Sequence, residues 1–131
     1  LGGGNYFTEF LPPSPHWLLW DKKNPNLSFA EGELAWVRKG KNLRIFYKYS
    51  AMVDKGGKRH PTQKSIDLYR WCLKNYATPG MKILDTHGGS MTHAIACDLE
   101  GFDLDICEID KEYFDAGVAA FNLHKSQKRL F

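Results

Sequence analysis

From residue 61 to residue 127 the chain reads helix, strand, helix, strand, helix, and that order restricts the fold more than any other feature. Pro61-Thr62-Gln63 opens a helix predicted to run to Tyr76, with Ile66, Tyr69, Cys72, Leu73 and Tyr76 recurring at three- and four-residue steps along one apolar stripe. Pro79-Gly80 stops it. Lys82-Ile83-Leu84-Asp85 is a short strand, and Gly88-Gly89-Ser90 turns the chain into a helix over 91–100 with Met91, Ile95 and Leu99 inward and Gly101 as its cap. A strand over Phe102 to Glu108 and a helix over Lys111 to Gln127 follow, the latter with Phe114, Val118 and Phe121 inward. Strands joined through a helix pair in parallel, so this half predicts an open α/β sheet.

Asp85 closes a strand directly before the glycine turn, and ligands of open α/β sheets bind outside the carboxyl ends of the strands. Glycines let a ligand approach the backbone, and a helix N-terminus favours negative charge. Glu108 follows Gly89 by 19 residues, a spacing suited to a carboxylate that accepts both hydrogens of a ribose diol. The turn alone also reads as an ordinary β-α-β connection with Asp110 capping the next helix. The added Glu108 spacing favours a nucleotide-like ligand. His60-Pro61-Thr62-Gln63-Lys64, taken by itself, reads as a plain helix entry.

The first half has a different texture. Residues 1–16 are loop, rich in glycine and proline; Trp17–Trp20, Glu33–Val37 and Arg44–Tyr49 are candidate strands, and 50–60 is a basic, glycine-containing loop. Trp17, Trp20, Trp36 and Trp71 are assigned to packing. The net charge is +3, yet residues 38–64 hold nine basic side chains against Asp54, a local +8. Such a stretch is either a solvated surface or a grip on a polyanion. Cys72, Cys97 and Cys107 are odd in number and lack C-x-x-C spacing, so they read as reduced, small core residues. No run of about 18 apolar residues offers a membrane span.

His60 to Lys64, then Leu68, Trp71, Leu73 to Tyr76, Pro79-Gly80, Ile83-Leu84-Asp85, Gly89-Ser90 and Glu108 closely resemble the DNA amino-methyltransferases, in the group whose catalytic region precedes the cofactor region. The resemblance is strong over 58–131. It extends more weakly to Gly3–Phe7, Leu11–Ser14, Trp17–Lys22 and Glu33–Trp36, where it points to phage- and prophage-borne members, some of restriction-modification type. It implies an α/β, S-adenosylmethionine-dependent methyltransferase (Rossmann-like) fold: an open, mainly parallel sheet with flanking helices, truncated at its N-terminal side. Residues 1–131 would form one partial domain, with substrate- and DNA-side strands and the basic loop in 1–57 and the cofactor-binding α-β-α-β-α in 58–131. The implied cofactor is S-adenosylmethionine. It would be cradled by Asp85, Gly89 and Ser90, held at the ribose by Glu108 and flanked at the adenine by Ile109; Thr62, Gln63 and Lys64 would close over it. The implied partner is double-stranded DNA, gripped through Arg38, Lys39, Lys41, Lys55, Lys58 and Arg59. A homodimer is neither implied nor excluded. The implied location is the cytoplasm of a bacterium or an infected host, and no metal is called for.

The sequence departs from the family at four places. Met91 stands where the motif usually ends in glycine, and its side chain either crowds the cofactor or turns into the core. His87 replaces an aromatic, and Ser65 a proline. The motif of Asp, Asn or Ser, two prolines and an aromatic, which orients the target amine, is absent: the only Pro-Pro, Pro12-Pro13, lies between Leu11 and Ser14. No catalytic residue is therefore assigned, and the chain alone is expected to be inactive. The expected parent activity is methyl transfer from S-adenosylmethionine to the exocyclic amine of adenine or cytosine. The rivals are a catalytically degenerate module that binds DNA or a partner, and a small-molecule nucleotide-binding protein.

Overall fold

The computed structural model describes residues 3–23, 30–48 and 63–128. The chain divides into two compact units, Leu1–Met52 and Val53–Phe131.

In the first unit, a short turn of 3-10 helix, Gly4–Tyr6, precedes three strands, β1 (Trp17–Asp21), β2 (Gly32–Trp36) and β3 (Arg44–Tyr47). The strand order is β2-β1-β3. β1 pairs antiparallel with β2 and parallel with β3. The central strand alternates, burying Leu18 and Trp20 on one face. Indole rings take their polar edge to a carbonyl when they leave water. Trp17 Nε1 accordingly donates to Ser14 O (2.8 Å), Trp20 Nε1 to Lys48 O (3.0 Å) and Trp36 Nε1 to Pro12 O (3.1 Å). The Pro12 carbonyl thus serves the packing of Trp36.

In the second unit, α1 (Ile66–Tyr76), β4 (Lys82–Asp85), α2 (Thr92–Glu100), β5 (Asp103–Ile106) and α3 (Lys111–Lys128) follow the expected order. β4 and β5 pair in parallel, Lys82 opposite Asp103 and Asp85 opposite Ile106. Leu73, Ala96 and Cys97 form the core, with Ile66, Tyr69, Ala77, Ile83, Phe102 and Leu104 packed around them. Gly101, at φ 76°, ends α2 and donates its N–H to Cys97 O. The Asp110 carboxylate caps α3 by accepting from the N–H groups of Glu112 (2.9 Å) and Tyr113 (3.1 Å). Asp98 on α2 anchors α3 through His124 Nε2 and Lys125 Nζ, both at 2.8 Å.

Several expectations need correction. The first helix begins at Ile66, because the Ser65 hydroxyl accepts from Leu68 N (3.2 Å) and so makes Ser65 the N-cap. Among the described residues the strands form two sheets and not one; their pairing is mainly parallel as expected, β1–β3 and β4–β5 against the antiparallel β1–β2. Leu99 points outward and is exposed, while Ala96 and Cys97 fill the inward face of α2. Phe114 and Val118 are partly exposed, bordering a 510 Å³ apolar cleft between α2, β5 and α3. Cys97 is buried, but Cys107 is exposed at the end of the second parallel strand. Burial pushes the Cys72 thiol up to about 12, and burial together with the nearby Asp85 carboxylate takes Cys97 to about 11. Among the described residues no helix is long and apolar enough to cross a membrane.

Candidate functional site: a cavity at the glycine turn

The carboxyl ends of β4 and β5 open onto a 250 Å³ cavity lined by Gln63, Lys64, Tyr69, His87, Gly88, Gly89, Ser90 and Glu108. Two of its lining positions favour glycine. A Cβ at Gly88 would lie 2.9 Å from Ile106 Cγ1 and 3.2 Å from Cys107 O, and Gly89 sits in the left-handed region at φ 53°. The turn is pinned to the second strand by Gly88 N donating to Cys107 O and by Cys107 N donating to Asp85 O, both 2.8 Å.

Glu108 bridges the two loops. Its Oε2 accepts from Gly89 N at 2.6 Å, and its Oε1 accepts from Asp110 N at 2.9 Å. Hydrogen bonds from the Asp110 and Gly89 N–H groups, and from that of Ile109, hold its carboxyl below the usual glutamate range. The group is therefore an ionised, acceptor-only carboxylate fixed at the cavity edge. Its two oxygens offer about four lone-pair sites, more than these backbone donors fill.

The Lys64 segment meets the glycine turn in space. The buried Thr92 hydroxyl donates to Lys64 O (3.1 Å) and lies 3.4 Å from Ser90 Oγ. Gln63 and Lys64 thus line the same cavity as Gly89, Ser90 and Glu108. Asp85 and Ile109 stand outside the lining. Ile109 is fully exposed. The Asp85 carboxylate accepts from His87 N and pairs with His93 Nδ1, both at 3.0 Å. Partial burial pushes Asp85 upward, but the His93 and His87 hydrogen bonds outweigh it and hold the carboxyl below its ordinary 3.8. A depressed carboxylate contributes stability above its unfolded value and loses it as pH falls through the folded one. The thermal midpoint of Asp85→Asn is therefore expected to lie below wild type near neutral pH, with the gap closing in acid below 3.8. A gap that persists unchanged to low pH would show that Asp85 acts other than by its charge.

Met91, the most conspicuous departure, turns away from this cavity. It takes φ 54°, is 3% exposed and borders the apolar cleft on the α3 side. Its side chain fills the space beside Gly117 of α3, where a Cβ would come within 2.6 Å of Met91 Cγ. The left-handed backbone explains why glycine is usual there, and Gly117 explains how methionine is accommodated.

The sequence does not mark Tyr69, Thr92 or His93 as site residues. Tyr69 was counted only as part of a helical stripe, and His93 follows Asp85 by eight residues, a separation with no motif attached. Thr62, Lys55, Lys58 and Arg59 lie outside the described residues. Arg38, Lys39 and Lys41 are exposed on the segment between β2 and β3 of the first unit, where His16 Nδ1 donates to Lys41 O (3.2 Å). Among the described residues no three His, Cys, Asp or Glu side chains group as a metal site.

A family model described as DNA methylase matches residues 16–119. Among solved structures, one described as "crystal structure of M1.HpyAVI-SAM complex" is similar over 79% of this chain, with 25% identity and a TM-score of 0.61. The chain covers 60% of that structure's length. No curated protein matches. The likeness establishes the expected α/β, Rossmann-like class of fold.

Proposed function

The chain belongs to the DNA methylase family, and from that premise we propose that it is the cofactor-binding portion of a DNA methyltransferase. The parent enzyme transfers a methyl group from S-adenosylmethionine to the exocyclic amine of adenine or cytosine in double-stranded DNA. One observation carries this reading: Gln63 and Lys64 from before α1 converge with Gly89, Ser90 and Glu108 on a single cavity. The residues suit the cofactor. Gly88 and Gly89 present backbone where any side chain would collide or strain, and Glu108 offers a fixed carboxylate to a ribose diol. The cofactor supplies a methyl group activated on a sulfonium; this chain's residues bind and orient it. Asp85, Gly89 and Ser90 form the turn at its methionine end, Ile109 flanks its adenine, and Thr62, Gln63 and Lys64 close the opposite side. Arg38, Lys39 and Lys41, with Lys55, Lys58 and Arg59, contact DNA phosphates, so affinity for DNA falls steeply with salt. Residues 1–57 and 58–131 belong to one partial domain of the parent, working in the cytoplasm.

The rival reading, a degenerate module, drew support from Met91. That support weakens, because the Met91 side chain packs against α3 and leaves the cavity open. A labelled-methyl transfer assay separates the two, using the full gene product and unmethylated duplex DNA. Incorporation into DNA is expected. A product that binds S-adenosylmethionine and DNA yet transfers no label would favour the degenerate module.

A further inference from the structure

The cavity has a wall that no site assignment includes. Tyr69 lines it from the first turn of α1. Behind Tyr69, His93 in the first turn of α2 lies flat on its ring, with centroids 4.4 Å apart and planes 12° apart. His93 Nδ1 in turn contacts Asp85 Oδ2 at 3.0 Å, and the other carboxylate oxygen accepts from His87 N. The His93 and Asp85 side chains are 14% and 17% exposed, so their bond is formed largely out of water, where a charged acceptor holds its donor tightly. Three elements thus meet in series: the end of β4, the start of α2 and the start of α1.

We propose that His93 is a positioning residue of the cofactor cavity, transmitting the fixed position of the Asp85 carboxylate to the Tyr69 ring and so setting the shape of the space the cofactor enters. This rests on the cofactor reading given above. It also gives Asp85 a role that its place outside the cavity lining leaves open: its carboxylate acts on the cofactor through two neighbours, His87 on one oxygen and His93 on the other. The contacts differ in kind, and each can be removed alone. His93→Phe keeps a ring against Tyr69 and loses the bond to Asp85. His93→Asn keeps a donor for Asp85 and loses the ring.

Equilibrium dialysis of the full chain with labelled S-adenosylmethionine tests the proposal, with thermal midpoints measured on the same samples. His93→Ala should weaken binding about tenfold, the scale of one hydrogen bond to a charged group. Because the elements act in series, His93→Asn and His93→Phe should each lose nearly as much as His93→Ala, even where their midpoints stay at wild type. Tyr69→Leu should lose affinity, and combining it with His93→Ala should add little to either loss. Wild-type affinity in His93→Ala, or losses that add in the double variant, would overturn the proposal while leaving the cofactor reading intact. Absence of binding to the wild-type chain would overturn both.

Discussion

Gly117→Ala is expected to destabilise the second unit, although alanine is the better helix former. The propensity gain in the middle of α3 is about 1 kcal/mol. Against it stands a Cβ that would lie 2.6 Å from Met91 Cγ, 2.8 Å from Sδ and 2.9 Å from Cβ. The last of these cannot swing away, because it is fixed to a backbone already at φ 54°. Overpacking of this kind costs roughly 1–3 kcal/mol. A net loss of about 1 kcal/mol should lower the thermal midpoint by roughly 4–8 °C for a unit of this size. The sign should reverse when Met91 is replaced by glycine, which relieves the left-handed backbone and vacates the space. In a Met91→Gly background, Gly117→Ala is expected to raise the midpoint, since only the helix propensity remains. Thermal unfolding of the four proteins reads this directly. Equal effects of Gly117→Ala in both backgrounds would mean that Met91 does not occupy that space.

This pair marks where the sequence stops being legible. Strand β4 is bounded in the sequence by Pro79-Gly80 and by the glycine turn, and its observed limits, Lys82–Asp85, are those predicted. Gly101 and Asp110 were likewise readable as helix boundaries, because capping is local chemistry. The start of α1 differs because Thr62 and Ser65 are both cap-type residues, and a periodicity argument cannot choose between them. Met91 was visible as a departure from glycine. Which way it points depends on Gly117, 26 residues later, and only the packing of α2 on α3 decides that. The exposure of Phe114 and Val118 in the cleft has the same origin, since periodicity gives a helix its face but not the depth of its neighbour. At the cavity, Gln63, Lys64, Gly89, Ser90 and Glu108 were legible because a family motif marks them. Tyr69 and His93 were not, because a ring stack across two helices leaves no spacing in the sequence.

Glu108→Ala is expected to have the largest effect on ligand binding. The substitution removes the acceptor offered to the ribose diol and releases Gly89 N from its 2.6 Å bond, so the turn loses its brace as the ligand loses its anchor. Losing the charged acceptor for both hydroxyls of the diol corresponds to a loss of affinity of roughly 100-fold or more. The fold should survive, since the side chain lies at the edge of the cavity and outside the core of Leu73, Ala96 and Cys97. The bonds that lower the Glu108 carboxyl also keep it ionised, and so an acceptor, below the usual glutamate range. Affinity should therefore persist through mild acid and fall only as that depressed carboxyl becomes protonated.

Titration calorimetry of the chain with S-adenosylmethionine tests whether residues 63–108 build a cofactor site. Saturable binding at one site is expected, weakened roughly 100-fold or more in Glu108→Ala. No binding to the wild-type chain, or equal binding by Glu108→Ala, would contradict it.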